Sequence, residues 1–237
     1  VDLANLLERK FKAPSGASIK IRAVSIDSSD GQTSDAVYSF VRKRRGKGYM
    51  AIKGSSVNDD SKEIFTTPKP SVDLGFKHKS SRFGVTPFIV GTSRAKDLIL
   101  GVDAKAGRIK LTGDGPGRMH WYHGVRPDYW EQITSEVKAP TSRSSKRVWQ
   151  KKSGVRNEAL DCEVYALHAA RSLKLHLWSA DRWQLELQSQ MQIELLPTAE
   201  QSEEDSQSTP GIQTEPEAQR DDFYDAFNGG NRSDDAW

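Results

Sequence analysis

Three carboxylates in this sequence stand where acidic side chains can bind a cation. Asp27 ends the stretch 19–27, which begins by alternating and finishes as an apolar run, the pattern of an inner strand. Glu158 and Asp161 are three residues apart, so they share one face of a predicted helix. Ligand sites in open α/β sheets lie at the carboxyl ends of strands, and hard cations such as Mg²⁺ prefer carboxylate oxygens.

Each of these acids also has a simpler interpretation. Asp27 opens the sequence Asp-Ser-Ser-Asp-Gly, which is good turn chemistry. Glu158 and Asp161 lie in the first turn of their helix, where acids complement the helix dipole, and Asn157 is the predicted N-cap. The residues alone leave both interpretations open.

The rest of the chain predicts an α/β protein. A helix over 33–41 between strands over 19–27 and 49–54 predicts a right-handed crossover and a parallel pair of strands. Periodicity is lost from 55 to 86. Further elements are predicted as helices over 2–11, 129–137, 156–173 and 178–196, and as a strand over 87–91 that is followed by a helix.

Charge divides the chain into a basic body and an acidic tail. Residues 198–237 contain 11 acidic and two basic side chains, which leaves 33 basic and 21 acidic ones in residues 1–197. A basic body favours a polyanionic partner, most often nucleic acid. A cationic cluster follows the predicted helix 33–41 and is suited to gripping phosphates or to lying in solvent: Arg42, Lys43, Arg44, Arg45 and Lys47.

Several classes of protein are disfavoured. The single Cys162 excludes an internal disulfide and fits a reducing compartment. His120 and His123 lack the further ligands of a zinc site, and the glycine-rich loop 113–117 lacks the Lys-Ser/Thr pair of a P-loop. We find no apolar run of membrane-spanning length and no signal peptide, and we expect that a chain beginning with Val1 is cut from a longer product.

Several short motifs, taken in order, resemble the C-terminal nuclease domain of the large terminase subunit of tailed bacteriophages, in its lambda-like branch. They extend over about residues 1–205, and the most specific is Asn157-Glu158-Ala159-Leu160-Asp161-Cys162 with Val164-Tyr165-Ala166-Leu167. The others are Ile26-Asp27-Ser28, Ala36-Val37-Tyr38, Ala51-Ile52-Lys53-Gly54, Val90-Gly91 with Ala95-Lys96-Asp97, Gly117 with His120, Gln132-Ile133-Thr134-Ser135-Glu136 and Arg182-Trp183-Gln184-Leu185.

The resemblance implies an RNase H-like mixed sheet flanked by helices. That fold carries its first acid on a first strand, which would precede Val1, so we expect the fold to be incomplete at its N-terminus. The implied divisions are an endonuclease domain over 1–177, an amphipathic helix over 178–197 and a disordered acidic tail over 198–237 that docks on the portal of the procapsid. The chain departs from the family at Ser93, where the block Gly-x-Asp-x-Ala-Lys often has Asp.

The implied activity is cutting of concatemeric double-stranded DNA during genome packaging, by a two-metal mechanism with Mg²⁺ or Mn²⁺. The implied catalytic residues are Asp27, Asp161 and Glu158, with the metal on Asp27 and Asp161. The DNA-binding candidates are Arg42, Lys43, Arg44, Arg45, Lys53 and Lys96. The implied partners are the small terminase subunit, the portal and an upstream ATPase domain, all in the host cytoplasm. The alternative function is a non-catalytic module that binds DNA and the portal; another RNase H-like nuclease, such as a resolvase, fits the motifs poorly.

Overall fold

The computed structural model describes residues 2–13, 16–56, 60–68, 83–102, 105–111, 117–142 and 144–195. The described residues divide into two compact units, one within residues 22–177 and the other within residues 1–21 and 178–195. The predicted tail over 198–237 lies outside the described residues. The mixed α/β class is confirmed, while the RNase H-like arrangement stays a prediction.

A three-stranded parallel sheet organises the unit 22–177. Its strands are β3 (Val24–Asp27), β4 (Tyr49–Gly54) and β5 (Phe88–Val90), in that spatial order. Helix α2 (Ser34–Arg42) connects β3 to β4, so the predicted parallel pair joined through a helix is confirmed, while the right hand of the crossover stays a prediction. Asp27 lies opposite Ile52 in the register, at the carboxyl end of the sheet.

Alternation along β4 builds a core on each face of the sheet. Ala51 packs on one side with Tyr38 and Val41 of α2. Met50 and Ile52 face the other side, where the larger core lies. That core is closed by α3 (Thr92–Leu100), α4 (Pro127–Ile133) and α5 (Glu158–Ser172), which contribute the fully or almost fully buried Ala95, Ile99, Ile133, Leu160 and Val164.

Helix α5 is joined to β3 by a buried histidine. His168 is completely buried, with its Nδ1 atom 2.8 Å from the Ser25 hydroxyl and its ring against Phe65 and Phe88. Burial lowers the pKa of His168 from 6.5 to about 4. A neutral imidazole therefore holds α5 against the strand that carries Asp27.

The structure after α4 corrects the prediction of a helix over 129–137. The predicted helix over 129–137 ends at Ile133, and the basic segment that follows forms an antiparallel hairpin of β8 (Glu136–Thr141) and β9 (Ser144–Lys151). Charged residues on one of its faces, Lys138, Arg147 and Lys151 among them, hid the alternation. Between α3 and α4 lie the short pair β6 (Gly101–Val102) and β7 (Lys105–Ala106) and a 3₁₀ turn over Arg108–Lys110.

In the other unit, the predicted N-terminal helix over 2–11 is too long. Helix α1 covers only Leu3–Leu7, and Phe11 instead lies in β1 (Lys10–Lys12), opposite Ile19 of β2 (Ser18–Lys20). The predicted strand over 19–27 is likewise split between β2 and β3. The predicted C-terminal helix is confirmed as α6 (Ala180–Leu195). No described helix combines the length and the apolar character needed to cross a bilayer.

The buried His168 predicts an acid-sensitive stability. Because its pKa is lower in the folded chain, the unfolded chain binds more protons between pH 6.5 and 4. This contribution is fully present above the unfolded pKa and is lost as the pH falls, by up to about 3 kcal/mol at 1.36 kcal/mol per pKa unit. Urea unfolding at about pH 7.5 and about pH 4.5 measures it.

Other groups titrate in the same range, so the comparison is between variants. His168→Gln should lose less free energy of unfolding on acidification than the wild type does, whereas His123→Gln, at an exposed position, should match the wild type. Equal pH dependence in all three proteins would contradict the assignment.

Candidate metal-dependent active site

Asp27 is held by a turn and by a tyrosine from helix α5. Its Oδ1 atom accepts hydrogen bonds from the Ser29 backbone N–H at 2.9 Å and from the Ser29 hydroxyl at 2.7 Å. Its Oδ2 atom accepts a hydrogen bond from the Tyr165 hydroxyl at 3.3 Å. The Asp27 carboxylate is exposed. Its Oδ1 atom therefore serves the predicted turn, while its Oδ2 atom is directed to the candidate site.

Asp161 lies one turn of α5 before Tyr165 and faces a lysine. Its Oδ1 atom is 3.7 Å from the Lys96 ammonium, and its Oδ2 atom accepts a hydrogen bond from the Asn157 amide at 3.1 Å. Burial raises the pKa of Asp161; Lys96 works against this shift, while Glu136 and Asp27 add to it. The structure thus brings together the first and the last of the predicted acids.

Glu136 is a third carboxylate at this place, and the sequence analysis did not single it out. Both of its oxygens accept hydrogen bonds from the Lys96 ammonium, at 2.7 and 2.8 Å, and one also accepts from the Asn157 amide at 3.1 Å. The Glu136 side chain is only 5% exposed. A signal was available: Glu136 ends one of the family-like blocks and is an acid at the start of a strand.

The cap of helix α5 differs from the prediction. Asn157 makes no capping hydrogen bond with its side chain, because its amide is directed to Glu136 and Asp161. The buried Gln132 of α4 supplies the cap instead, since its Oε1 atom accepts from the Ala159 N–H at 3.1 Å. One amide therefore caps the helix, and the other is free to orient two carboxylates.

Glu158 is directed away from this group. Its carboxylate pairs with Arg156 at 3.2 Å, and its side chain is 58% exposed. Its own backbone N–H, followed by Arg156, lowers the pKa of Glu158. No described contact joins it to Asp27 or Asp161, so its catalytic role stays a prediction.

The donor set fits a hard divalent cation. Asp27, Glu136 and Asp161 offer only carboxylate oxygens, which Mg²⁺ and Mn²⁺ prefer. Within the described ranges, no three acidic, histidine or cysteine side chains are already arranged around one point as metal ligands. The Lys96 ammonium lies between Glu136 and Asp161.

A second ion pair positions Lys96 and Glu136. Asp97, next to Lys96 on α3, accepts hydrogen bonds at 2.8 Å from the ammonium of Lys138, two residues after Glu136 on β8. Trp149, opposite Lys138 in the hairpin, donates its Nε1–H to Asp97 at 2.8 Å. Two ion pairs of opposite polarity therefore join α3 to β8.

Ser93, which stands at the family aspartate position, lies beside another carboxylate. Its buried hydroxyl donates to Asp60 Oδ1 at 3.0 Å, and Asp60 also pairs with Lys138 at 3.2 Å. Gly91 permits this approach, since a Cβ atom there would lie 2.2 Å from the Lys62 carbonyl and 2.4 Å from that of Glu63. A carboxylate therefore remains next to position 93, although it comes from another segment.

The DNA-binding candidates are divided between two ends of the sheet. Arg42 is the last residue of α2, and Lys43–Arg45 follow it and lead to Tyr49, which pairs with Val24 at the end opposite Asp27. Arg42, Lys43 and Arg45 are exposed, although Arg45 also donates to the Gly84 carbonyl. Arg44 lies over the Phe40 ring at 3.8 Å.

Lys53 lies near the carboxyl end of β4, and the Lys96 ammonium lies between the carboxylates of Glu136 and Asp161. Of the six candidates, these two are therefore at the same end of the sheet as Asp27. Residues 69–82, part of the stretch in which periodicity is lost, lie outside the described residues.

Comparison with known proteins agrees with the motifs. The family profile of the terminase large subunit gpA endonuclease domain matches residues 1–183. The chain is also 30% identical over 192 residues to the large terminase subunit of Escherichia phage lambda, a match that covers 76% of this chain and 26% of that protein. No solved structure gives a significant match. The chain belongs to the terminase large subunit endonuclease-domain family, and it spans about a quarter of the length of its lambda relative.

The Asp97–Lys138 ion pair predicts a measurable loss of stability. Lys138→Met leaves Asp97, whose side chain is 19% exposed, without its cation, so we expect the free energy of unfolding to fall by about 2 kcal/mol. The exposed pair Arg126–Asp128 provides the control, since Arg126→Met should change stability by no more than about 0.5 kcal/mol. Equal losses in urea unfolding would contradict this ranking.

The Ser93–Asp60 contact predicts a compensating pair of substitutions. Ser93→Asp alone adds a carboxylate beside Asp60 and Asp97, and should cost about 1–2 kcal/mol of stability. Adding Asp60→Asn removes the excess charge and should recover part of that loss. A double-mutant cycle measures this coupling; simple additivity would show that the two positions are independent.

Proposed function

We propose that this chain is the endonuclease part of a DNA-packaging terminase large subunit and cuts concatemeric double-stranded DNA in the host cytoplasm. The observation that supports this most strongly is the meeting of Asp27, Glu136 and Asp161 at the carboxyl end of the parallel sheet, in a member of the terminase endonuclease family. These side chains come from three separate elements, β3, β8 and α5.

In the proposed site Asp27, Glu136 and Asp161 hold Mg²⁺ or Mn²⁺. When bound, the metal supplies positive charge that lowers the pKa of a water and stabilises the leaving oxygen of the phosphodiester. Glu158 lies one turn before Asp161 and stands outside this set in our proposal. The set of acids predicted from the sequence was Asp27, Asp161 and Glu158, so the proposed site differs by containing Glu136 in place of Glu158.

The chain's own residues orient these carboxylates. Burial, followed by the charge of Asp27, raises the pKa of Tyr165, so its hydroxyl stays protonated and donates a hydrogen bond to Asp27. The Asn157 amide fixes one oxygen of Asp161 and one of Glu136. Fixed donors and acceptors reduce the reorganisation that a reaction requires.

The cationic cluster Arg42–Arg45 is proposed to bind DNA phosphates away from the cut. Strands rise by about 3.3 Å per residue, so the four residues of β3 separate the two ends of the sheet by about 10 Å. A duplex that lies across the unit can contact both ends. Phosphate contacts of this kind carry no sequence information, which fits site selection by the small terminase subunit.

The partners of the larger protein are also proposals. An upstream ATPase domain would drive the DNA, and the acidic tail over 198–237 would bind the portal of the procapsid. A sequence with 11 acidic and two basic side chains, and with aromatic residues near its end, suits a segment that orders on a partner.

Plasmid nicking tests the proposed activity. Supercoiled DNA incubated with the purified chain and Mn²⁺ should be nicked, weakly if the family's first acidic strand is required. Chelation should stop the reaction, and Asp161→Asn or Glu136→Gln should reduce the rate by about 100-fold or more, since each removes a charged metal ligand. Glu131→Gln, at an exposed position on α4, is the matched control and should cut normally.

The remaining outcomes decide between the alternatives. If Glu158→Gln abolished nicking while Glu136→Gln remained active, the catalytic acids would be Asp27, Asp161 and Glu158, as the sequence predicted. Salt-sensitive DNA binding by a chain that never cuts would favour the non-catalytic binding module.

A further inference from the structure

The three carboxylates of the candidate site contain more negative charge than Lys96 can neutralise. Glu136 and Asp161 face the Lys96 ammonium, and Asp27 adds its negative charge beside Asp161, so that the three carboxylates and the one ammonium have a formal charge of −2. The neighbouring group differs, because there Lys138 balances the two carboxylates of Asp97 and Asp60 more closely. Excess negative charge in a partly buried place favours the uptake of a cation.

Lys96 holds the carboxylates in an arrangement made for an ammonium. Both oxygens of Glu136 are directed at its Nζ atom, at 2.7 and 2.8 Å, while Asp161 lies at 3.7 Å. The side chains of Lys96 and Glu136 are only 12% and 5% exposed, so this pair is well shielded from water. Among the described residues, no set of three acids is already arranged as metal ligands.

We propose that Lys96 is a built-in competitor for the metal, whose ammonium leaves Glu136 when a divalent cation binds to Asp27, Glu136 and Asp161. This proposal rests on the proposed metal-dependent function. Lysine has a long, freely rotating stem, so its ammonium can leave Glu136 without movement of the backbone. Once released, the ammonium lies beside the cation site and can contact a DNA phosphate, as the sequence analysis predicted for Lys96.

The proposed competition defines the arrangement of the site in the absence of metal. With no metal, the ammonium offsets the repulsion among the three carboxylates and keeps them together. With metal, the same charge becomes available for the substrate, so cation binding and DNA binding are thermodynamically coupled and each should strengthen the other. DNA should therefore tighten metal binding in the wild type more than in a variant that lacks Lys96.

The test is Mn²⁺ binding to the whole chain, measured without DNA by the electron paramagnetic resonance signal of free Mn²⁺. Lys96→Met removes the competitor and should lower the Mn²⁺ dissociation constant about tenfold, which equals about 1.4 kcal/mol. Lys110→Met removes an exposed lysine of the 3₁₀ turn and should leave it unchanged within about twofold.

A double-mutant cycle separates displacement from a general effect of charge. If Lys96 competes for Glu136, the gain from Lys96→Met should disappear when Glu136 is already Gln. If the gain persists in the Glu136→Gln background, Lys96 acts only through its long-range charge, and the proposal is overturned. The same holds if Lys96→Met binds Mn²⁺ no more tightly than the wild type.

Stability provides a second readout for variants that fold poorly. Without metal, Lys96→Met and the more polar Lys96→Gln should both unfold at a lower temperature than the wild type, since the carboxylates then repel one another. Saturating Mn²⁺ should raise the unfolding temperature of these variants more than that of the wild type. An equal increase in all of them would also overturn the proposal.

Failure of this inference differs from failure of the proposed function. Mn²⁺ binding and nicking that both require Asp161, with no effect of Lys96→Met on affinity, would remove only the competition. A wild-type chain that neither binds Mn²⁺ nor nicks DNA would remove both.

Discussion

Repulsion between like charges is the constraint on which this unit depends. Asp27, Glu136 and Asp161 belong to separate elements, and each is brought to the same end of the sheet by packing in the core. The Lys96 ammonium and the Asn157 amide make that meeting possible by supplying hydrogen-bond donors to the two less exposed acids. Elements that surround the group are fixed by buried contacts of their own, such as His168 with Ser25. The charged group can therefore exist before any cation or DNA arrives.

The sequence was sufficient for the elements whose pattern is local. The crossover from β3 through α2 to β4 follows from apolar runs and periodicity, and so does helix α5 with its buried Leu160 and Val164. The hairpin of β8 and β9 could not be found in this way, because charged residues on one of its faces resemble a solvated loop. Helix α1 was overextended since Phe11 fits a helical spacing as well as a strand pairing.

Residues of the candidate site could be predicted where a local sequence pattern distinguishes them. Asp27 ends a strand and Asp161 belongs to a specific motif, so both could be selected from the chain alone. Glu136 and Tyr165 gain their meaning only from partners that are distant in sequence, Lys96 and Asp27 respectively. The exchange of roles between Asn157 and Gln132 is of the same kind, since the residue with the best capping pattern is not the one that caps.

The opposite polarity of the two ion pairs between α3 and β8 also has a consequence for folding. On the helix a cation precedes an anion, whereas on the strand an anion precedes a cation, so Lys96 meets Glu136 and Asp97 meets Lys138. Exchanging the partners would place Lys96 against Lys138 and Asp97 against Glu136, which are two repulsive contacts in a poorly hydrated place. The two ion pairs therefore disfavour this exchanged alignment of the hairpin on the helix, both in the folded chain and during folding.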